Sequence, residues 1–158
     1  MANWAGFEAQ APALAAAGRR LLELFGPGLG FLATIRPDGG PRLHPICPIV
    51  HDGELWAFIL RRSPKGRDLL RDHRVALHSF PKPDTDDEFL ALGRVEHVDA
   101  GAAQRAAVAA ATPAIVGADE EELFRFELDR AQLAIYETRP QWPPTYQIWI
   151  DGRGVKTR

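Results

Sequence analysis

The junction between a predicted strand and a predicted helix carries the most distinctive chemistry of this chain. It reads Arg61-Arg62-Ser63-Pro64-Lys65-Gly66-Arg67-Asp68, with four cations in eight positions. Serine is a favoured N-cap because its hydroxyl accepts a hydrogen bond from a free amide of the first helical turn. Proline at the next position has no amide to leave unpaired. Free amides and the helix dipole attract anions, so the junction predicts a phosphate site at Ser63 and Lys65.

The histidines and the cysteine do not have the spacing of a metal site. His44, Cys47 and His51 lie on or beside one predicted strand, where residues four apart are about 13 Å from each other. A zinc ion holds its ligands at about 2.0–2.3 Å, so these residues predict no metal. Cys47 lies between two prolines in an apolar context, which favours a buried, inert thiol. The sequence has no Gly-x-Ser-x-Gly, HExxH or Walker-type motif, so a hydrolase has little support.

Periodicity of apolar residues predicts antiparallel strands with a few helices. The predicted strands cover 31–35, 42–50, 54–60, 74–80, 88–98, 124–129, 132–137 and 145–150. Helices are predicted over 7–25, 63–72 and 102–111, with a short helical turn after Asp119. The pattern predicts a mostly β fold, a closed or half-open antiparallel β-barrel with flanking helices.

Size and composition fit one globular domain over residues 1–158. Hydrophobic residues make up 46% of the chain and charged residues 25%, enough for one core. The net charge of −2 gives no reason to expect nucleic acid or a membrane surface as a partner. A single cysteine fits a reducing compartment. No run approaches the roughly 20 apolar residues of a membrane helix, and no signal peptide is recognisable, so a cytoplasmic location is expected.

The second predicted strand is unusual because it carries prolines at 41, 45 and 48. Proline removes a donor from a sheet ladder, so it is confined to edge strands and bulges. An edge strand has unpaired backbone groups that can face a flat polar ring. This strand lies one hairpin before the phosphate-type junction, which favours the interpretation that its edge faces such a ring.

The order of these motifs resembles the pyridoxamine 5′-phosphate oxidase-like, FMN-binding split-barrel family. The resemblance covers roughly Phe31 to Val98 and is most specific at the segment 63–70, Ser-Pro-Lys-Gly-Arg-Asp-Leu-Leu. An Arg-Pro-Asp-Gly turn, an Asp-Gly-Glu-Leu-Trp segment and a Val-Ala-Leu strand occur in the same order. The segment 93–96, Gly-Arg-Val-Glu, is a second, weaker match.

The resemblance implies a split β-barrel over 29–150, an N-terminal helix over 1–28 packed on it, and a tail over 151–158. It also implies a homodimer with two FMN sites at the subunit interface. The strand along the flavin and its ribityl chain is the one that matches Arg42, Leu43, His44, Pro45, Ile46 and Cys47. Positions matching Phe58 and Ile59 line the cofactor, and those matching Ser63 and Lys65 hold its phosphate.

The sequence departs from the true oxidases at three places. Pro64 replaces an arginine, which leaves that charge to Arg61 or Arg62. Glu88 lies near the position of a glutamine, and the C-terminal Arg-x-His-x-Arg substrate motif is missing. Arg153, Lys156 and Arg158 lie instead in a glycine-containing tail that is expected to be mobile. We therefore expect no pyridoxamine 5′-phosphate oxidase activity.

The expected function is that of an FMN-dependent oxidoreductase acting on a small organic substrate. An apolar, planar substrate would stack on the flavin between aromatic groups such as Trp142 or Trp149. Two alternatives remain open: a reductase that uses a deazaflavin coenzyme, and a non-catalytic module that binds flavin or haem. No side chain stands out as a catalytic acid or base.

Overall fold

The computed structural model describes residues 1–136 and 143–158. Its helices are α1 (Trp4–Gln10), α2 (Pro12–Leu22), α3 (Pro64–Arg71) and α4 (Ala102–Ala110). Its strands are β1 (Gly30–Ile35), β2 (Pro41–Ile46), β3 (Ile49–His51), β4 (Glu54–Leu60), β5 (Arg74–Ser79), β6 (Glu88–Val98), β7 (Glu121–Ile135), β8 (Thr145–Ile150) and β9 (Gly154–Thr157).

The strands of the described ranges form one antiparallel sheet that curls into a split barrel. The path of paired strands runs β2-β1-β5-β6-β7-β4-β3, and β8 joins β7 to β9. The two ends of that path, β2 and β3, are separated along the chain by Cys47 and Pro48 alone. The sheet must therefore bend until its ends meet. The predicted fold class, a mostly β split barrel with flanking helices, is confirmed.

The core lies inside this barrel and extends under the first two helices. Trp4 and Phe7 of α1 pack on Phe89 of β6 and Trp149 of β8, and none of these four side chains is more than 1% exposed. The Phe7 ring centroid lies 4.7 Å from that of Trp149 and 6.3 Å from that of Phe89. Such pairs of rings add to the stabilisation from apolar burial. Trp4 and Phe7 therefore pack α1 on the barrel.

Prolines divide two elements that were predicted to be continuous. The predicted helix over 7–25 is two helices, because Ala11 precedes Pro12 and takes a non-helical conformation with φ of −147°. The predicted strand over 42–50 breaks at Cys47 and Pro48, which leads to β2 and β3 lying at opposite ends of the sheet path.

The structure differs from three other predictions in the second half of the chain. The strands predicted over 124–129 and 132–137 are one strand, the 15-residue β7. A register shift between Leu92 and Gly93 of β6 lets the pairing continue past Asp129. The predicted tail over 151–158 contains β9, which pairs with β8 from Gly154 to Thr157. Where a helical turn was predicted after Asp119, the structure has a turn followed at once by β7.

Among the described residues, no helix is both long enough and apolar enough to cross a membrane.

Candidate functional site

The N-terminus of α3 has the capped geometry predicted from the sequence. The Ser63 hydroxyl accepts a hydrogen bond from the Gly66 amide at 3.1 Å and donates one to the Leu60 carbonyl at 2.7 Å. Pro64 is the first helical residue and has no amide hydrogen. In the described part of the chain, the backbone amide of Lys65 has no acceptor. A free amide of this kind is a donor for an anionic ligand.

The Lys65 side chain connects this helix end to the edge of the sheet. Its ammonium group donates a hydrogen bond to the Pro45 carbonyl of β2 at 3.0 Å. Burial lowers the pKa of Lys65, while nearby Cys47 and Glu121 oppose that shift. The partly desolvated ammonium has one neutral acceptor here, so an anion placed at the junction would interact with it strongly.

The outer edge of β2 presents backbone groups of alternating residues. Among the described strands, β2 pairs with β1 alone, and Pro45 directs its carbonyl outward to Lys65. Residues two apart on a strand direct their backbone groups to the same side, so the carbonyls of Pro41 and Leu43 also face outward. Prolines have no amide hydrogen, which leaves the Leu43 amide as the donor of this edge. The edge therefore offers several acceptors and one donor.

Arg42 lies on β2 as predicted, but its guanidinium already has a partner. Arg42 Nε donates to Asp68 Oδ2 at 2.7 Å, and the Thr34 hydroxyl donates to the same oxygen at 3.0 Å. Arg71 Nη1 lies 3.4 Å from the other carboxylate oxygen. Burial tends to raise the pKa of Asp68, but the bonds from Arg42 and Thr34 outweigh it and lower the pKa. Arg42 thus anchors β2 to α3.

The cations around the junction differ in their freedom to bind a ligand. Arg61 Nε lies 3.1 Å from Glu122 Oε1, and the other oxygen of that carboxylate lies 2.6 Å from His97 Nε2. In contrast, Arg62 and Arg67 are exposed and form no ion pair within residues 1–136 and 143–158. Of the two arginines named as replacements for the missing charge, Arg62 is the one without an ion-pair partner among the described residues.

The surroundings of His44 and Cys47 favour the uncharged form of each side chain. Burial lowers the pKa of His44, and the charges of Lys65 and Arg42 lower it further. His44 Nε2 is buried and has no hydrogen-bond partner in the described ranges. Burial raises the pKa of the Cys47 thiol despite the nearby Lys65. Cys47 is half-buried rather than buried, but it is protonated at neutral pH and therefore a poor nucleophile.

Three other site residues lie partly or wholly in the interior. Ile46 is 5% exposed, Phe58 7% and Ile59 1%. The Ile46 and Ile59 side chains belong to the barrel core, so any contact of theirs with a ligand would have to come from the backbone. Phe58 packs on Val108 of α4 and lies beneath the Arg105 guanidinium, 5.2 Å from the ring centroid.

Trp149 does not form the aromatic surface that was predicted to contact a substrate. Its indole is fully buried against Phe7 and donates to the Gln10 amide oxygen at 3.2 Å, so it faces the core. Trp142 lies outside the described residues. Glu88, the other departure from the oxidases, lies at the start of β6 with its carboxylate 3.6 Å from His78 Nε2.

Two carboxylates beside the junction were not found by sequence reasoning. Asp68 lies inside the most specific motif, and its position four residues after Pro64 places it on the buried side of α3. Glu121 begins β7 and accepts from the amides of Gly117 and Ala118 at 2.6 and 3.1 Å. Of the two, Asp68 alone could have been predicted from the sequence, because a carboxylate on the buried side of a helix needs cationic partners. Within the described ranges, no group of three or more His, Cys, Asp or Glu side chains could hold a metal ion.

The structure is a split barrel with a capped, cationic helix start beside an edge strand. The sequence matches the model of the family described as pyridoxamine 5′-phosphate oxidase over residues 16–142. This match covers more than half of the chain, and the chain therefore belongs to the pyridoxamine 5′-phosphate oxidase-like family. Comparison with curated proteins gives no match.

Solved structures with the same fold differ in what their names say they bind. A pyridoxamine 5′-phosphate oxidase-related, FMN binding protein from Nostoc punctiforme is 15% identical, with a TM-score of 0.65 over 93% of this chain and 94% of that chain. A heme binding protein from Mycobacterium smegmatis is 18% identical, with a TM-score of 0.65 over 85% of this chain and 57% of that chain. An F420 reductase is 21% identical, with a TM-score of 0.56 over 72% of this chain and 94% of that chain. At these identities the likeness shows the fold alone.

Proposed function

We propose that the protein is an FMN-dependent oxidoreductase that acts as a homodimer on a small organic substrate. The observation that carries this proposal is the phosphate-type junction next to a free sheet edge. One side chain, Lys65, spans both features through its bond to the Pro45 carbonyl. Membership of the family and the fold shared with an FMN binding protein support the same cofactor.

The residues at the junction fit the phosphate of FMN. The Lys65 amide has no acceptor in the described residues, and its ammonium has a single neutral one. The exposed Arg62 has no carboxylate partner within those residues. A phosphate has several acceptor oxygens and two negative charges, so it can satisfy these donors together. Lys65 and Arg62 would hold the phosphate, and the Ser63 cap would fix the helix end.

The β2 edge fits the polar side of a flavin ring. A flavin presents one ring N–H and several carbonyl and nitrogen acceptors along its pyrimidine side. The outward carbonyls of Pro41 and Leu43 would accept from the ring N–H, and the Leu43 amide would donate. When bound, FMN supplies the hydride and electron transfer, while this chain binds and orients it. The neutral His44, with its buried Nε2 unpaired among the described residues, adds no positive charge to that environment.

Exposed apolar side chains around the junction support a second subunit there. Leu43 of β2 is 62% exposed, Leu60 at the end of β4 42%, and Leu70 of α3 38%. These are large apolar side chains on three elements that meet at the junction, whereas most large apolar side chains of the chain are buried. Exposed apolar surface is typical of interaction sites. We propose that a second copy covers it, which would enclose the flavin between subunits.

The absorption spectrum of the purified protein tests this proposal. Bound FMN gives two bands, one in the near-ultraviolet and one in the blue, and a nicotinamide donor should bleach the blue band. A single band in place of these two would indicate a deazaflavin coenzyme, whose phosphate the same junction fits, and would contradict FMN. A strong Soret band would indicate haem. A bound flavin that no donor reduces would contradict the oxidoreductase role and leave a binding module.

A further inference from the structure

The C-terminal strands form a cationic cavity at a different part of the sheet from the α3 junction. It has a volume of about 120 Å³ and is lined by Arg130 of β7, Ile148 and Ile150 of β8, and Arg153, Lys156 and Arg158. Sequence reasoning had placed the last three cations in a mobile tail. The structure instead holds them on the β8–β9 hairpin.

The strand register explains why these residues meet. Arg130 pairs with Ile150, which pairs with Gly154, and Ile148 pairs with Lys156. Directly opposed residues of antiparallel strands lie on the same face of a sheet, so Arg130, Ile150, Ile148 and Lys156 share one face. Trp149 lies on the opposite face, in the core. The cavity is therefore on the outer face, open to solvent.

The cationic side chains of this cavity have no ion-pair partner in the described part of the chain. Arg130, Arg153, Lys156 and Arg158 form no side-chain ion pair or hydrogen bond within residues 1–136 and 143–158. The nearby carboxylate of Asp151 is already bound to the N-terminal amine at 3.0 Å and to Gln10. None of the described lining residues has an acidic side chain, and the terminal carboxylate of Arg158 already accepts from the Tyr146 amide. Four like charges around one cavity repel one another, and an anion removes that repulsion.

We infer that this cavity binds a small organic molecule through a phosphate monoester group. Guanidinium groups match phosphate oxygens in pairs, and a cavity with room for several water molecules can hold a phosphate. The half-buried Ile148 and Ile150 between the cations offer an apolar surface to the carbon part of the ligand. A second copy of the chain is a poor occupant, because a two-fold axis would place like charges opposite each other.

Calorimetric titration with phenyl phosphate and with inorganic phosphate tests the inference. The Lys65→Ala chain is titrated beside the wild type, because phosphate at the α3 junction would otherwise be counted. In both chains phenyl phosphate should bind, and more tightly than inorganic phosphate. The double substitution Arg130→Gln and Lys156→Gln should weaken phenyl phosphate at least tenfold, which corresponds to about 1.4 kcal/mol. Arg94→Gln, an exposed arginine on β6 outside the cavity, is the matched control and should change little.

Several outcomes would overturn this inference without affecting the flavin site. Binding that is lost in Lys65→Ala but kept in the double variant would assign the phosphate to the junction instead. If Arg94→Gln loses as much affinity for phenyl phosphate as the double variant, the cause is the net charge and not the cavity. If phenyl phosphate and inorganic phosphate bind equally well, the cavity does not recognise the carbon part of a ligand. Arg153→Gln, in the turn between β8 and β9, repeats the test if the double variant does not fold. No binding of either probe to the wild type would also contradict the site.

Discussion

The buried carboxylate of Asp68 should be a main determinant of stability at the junction. The residue is 2% exposed and joins Arg42, Thr34 and Arg71. Replacing Asp68 with Ala leaves the Arg42 guanidinium without its partner at 2.7 Å and the fully buried Thr34 hydroxyl without its acceptor. The change also releases β2 from α3, so it disturbs both halves of the proposed flavin site.

The expected loss in the free energy of unfolding is about 3 kcal/mol. Removing one partner of a buried ion pair costs about 3–5 kcal/mol. The lower end applies here because Arg42 and Arg71 are 28% and 40% exposed, so water can solvate them again. For a chain of this size, 3 kcal/mol corresponds to a decrease of roughly 6–12 °C in the melting temperature.

The effect should depend on pH in one direction. The pKa of Asp68 is lower in the folded protein than its ordinary value, so its stabilisation is fully present above the unfolded pKa of about 3.9. It is lost as the pH falls through the folded pKa. Urea unfolding of the wild type and Asp68→Ala, at pH 7 and near pH 3, measures the difference at each pH. Asp84→Ala, an exposed loop carboxylate, is the control.

Two results would refute this reasoning. The first is a loss at pH 7 no greater than that of Asp84→Ala. The second is a difference between wild type and Asp68→Ala that stays the same at pH 3, because the ion pair would then not be its source.

The other predictions concern backbone geometry, assembly and substrate. Gly66→Ala should lower the free energy of unfolding by about 1–3 kcal/mol, since the new Cβ would lie 2.4 Å from the Leu60 carbonyl oxygen. Gly101 has open space around it, so Gly101→Ala should leave the free energy of unfolding in urea nearly unchanged. Light scattering should give about twice the chain mass of 17.5 kDa, and Leu43→Asp should give the monomer; a wild-type monomer that holds flavin would contradict the dimer. FMN-loaded protein should release little peroxide with pyridoxamine 5′-phosphate, and turnover of about 1 s⁻¹ or more would restore a vitamin B6 role.

The α3 junction and most strands could be predicted because their signals are local. A serine cap followed by proline and lysine fixes a helix start wherever the helix packs. Short apolar stretches between turn residues likewise located β1 (Gly30–Ile35), β4 (Glu54–Leu60) and β6 (Glu88–Val98). The predicted phosphate side chains at Ser63 and Lys65 accordingly lie together beside β2.

The remaining features depend on contacts between distant residues. Asp129 and Arg130 resemble a turn locally, and β7 passes through them because β6 adjusts its register at Gly93, where any Cβ would lie 1.9 Å from the Glu127 carbonyl oxygen. The tail gains order by pairing with β8. Trp149 belongs to the core because Phe7 of α1 packs against it. A pattern in a short stretch of sequence cannot identify partners that lie so far away along the chain.

The ratio of the dissociation constants of riboflavin and FMN is the most direct measure of a phosphate site at α3. The two ligands share the flavin ring and differ in the phosphate, so the ratio isolates the junction. A charge-assisted contact contributes about 1.5–3 kcal/mol, so FMN should bind the wild type roughly 10 to 150 times more tightly. Lys65→Ala should lower the ratio, although Arg62 and the backbone amide of residue 65 would still contact the phosphate, whereas Arg67→Ala, on the same helix, should leave it unchanged. Equal binding of riboflavin and FMN by the wild type would contradict the account.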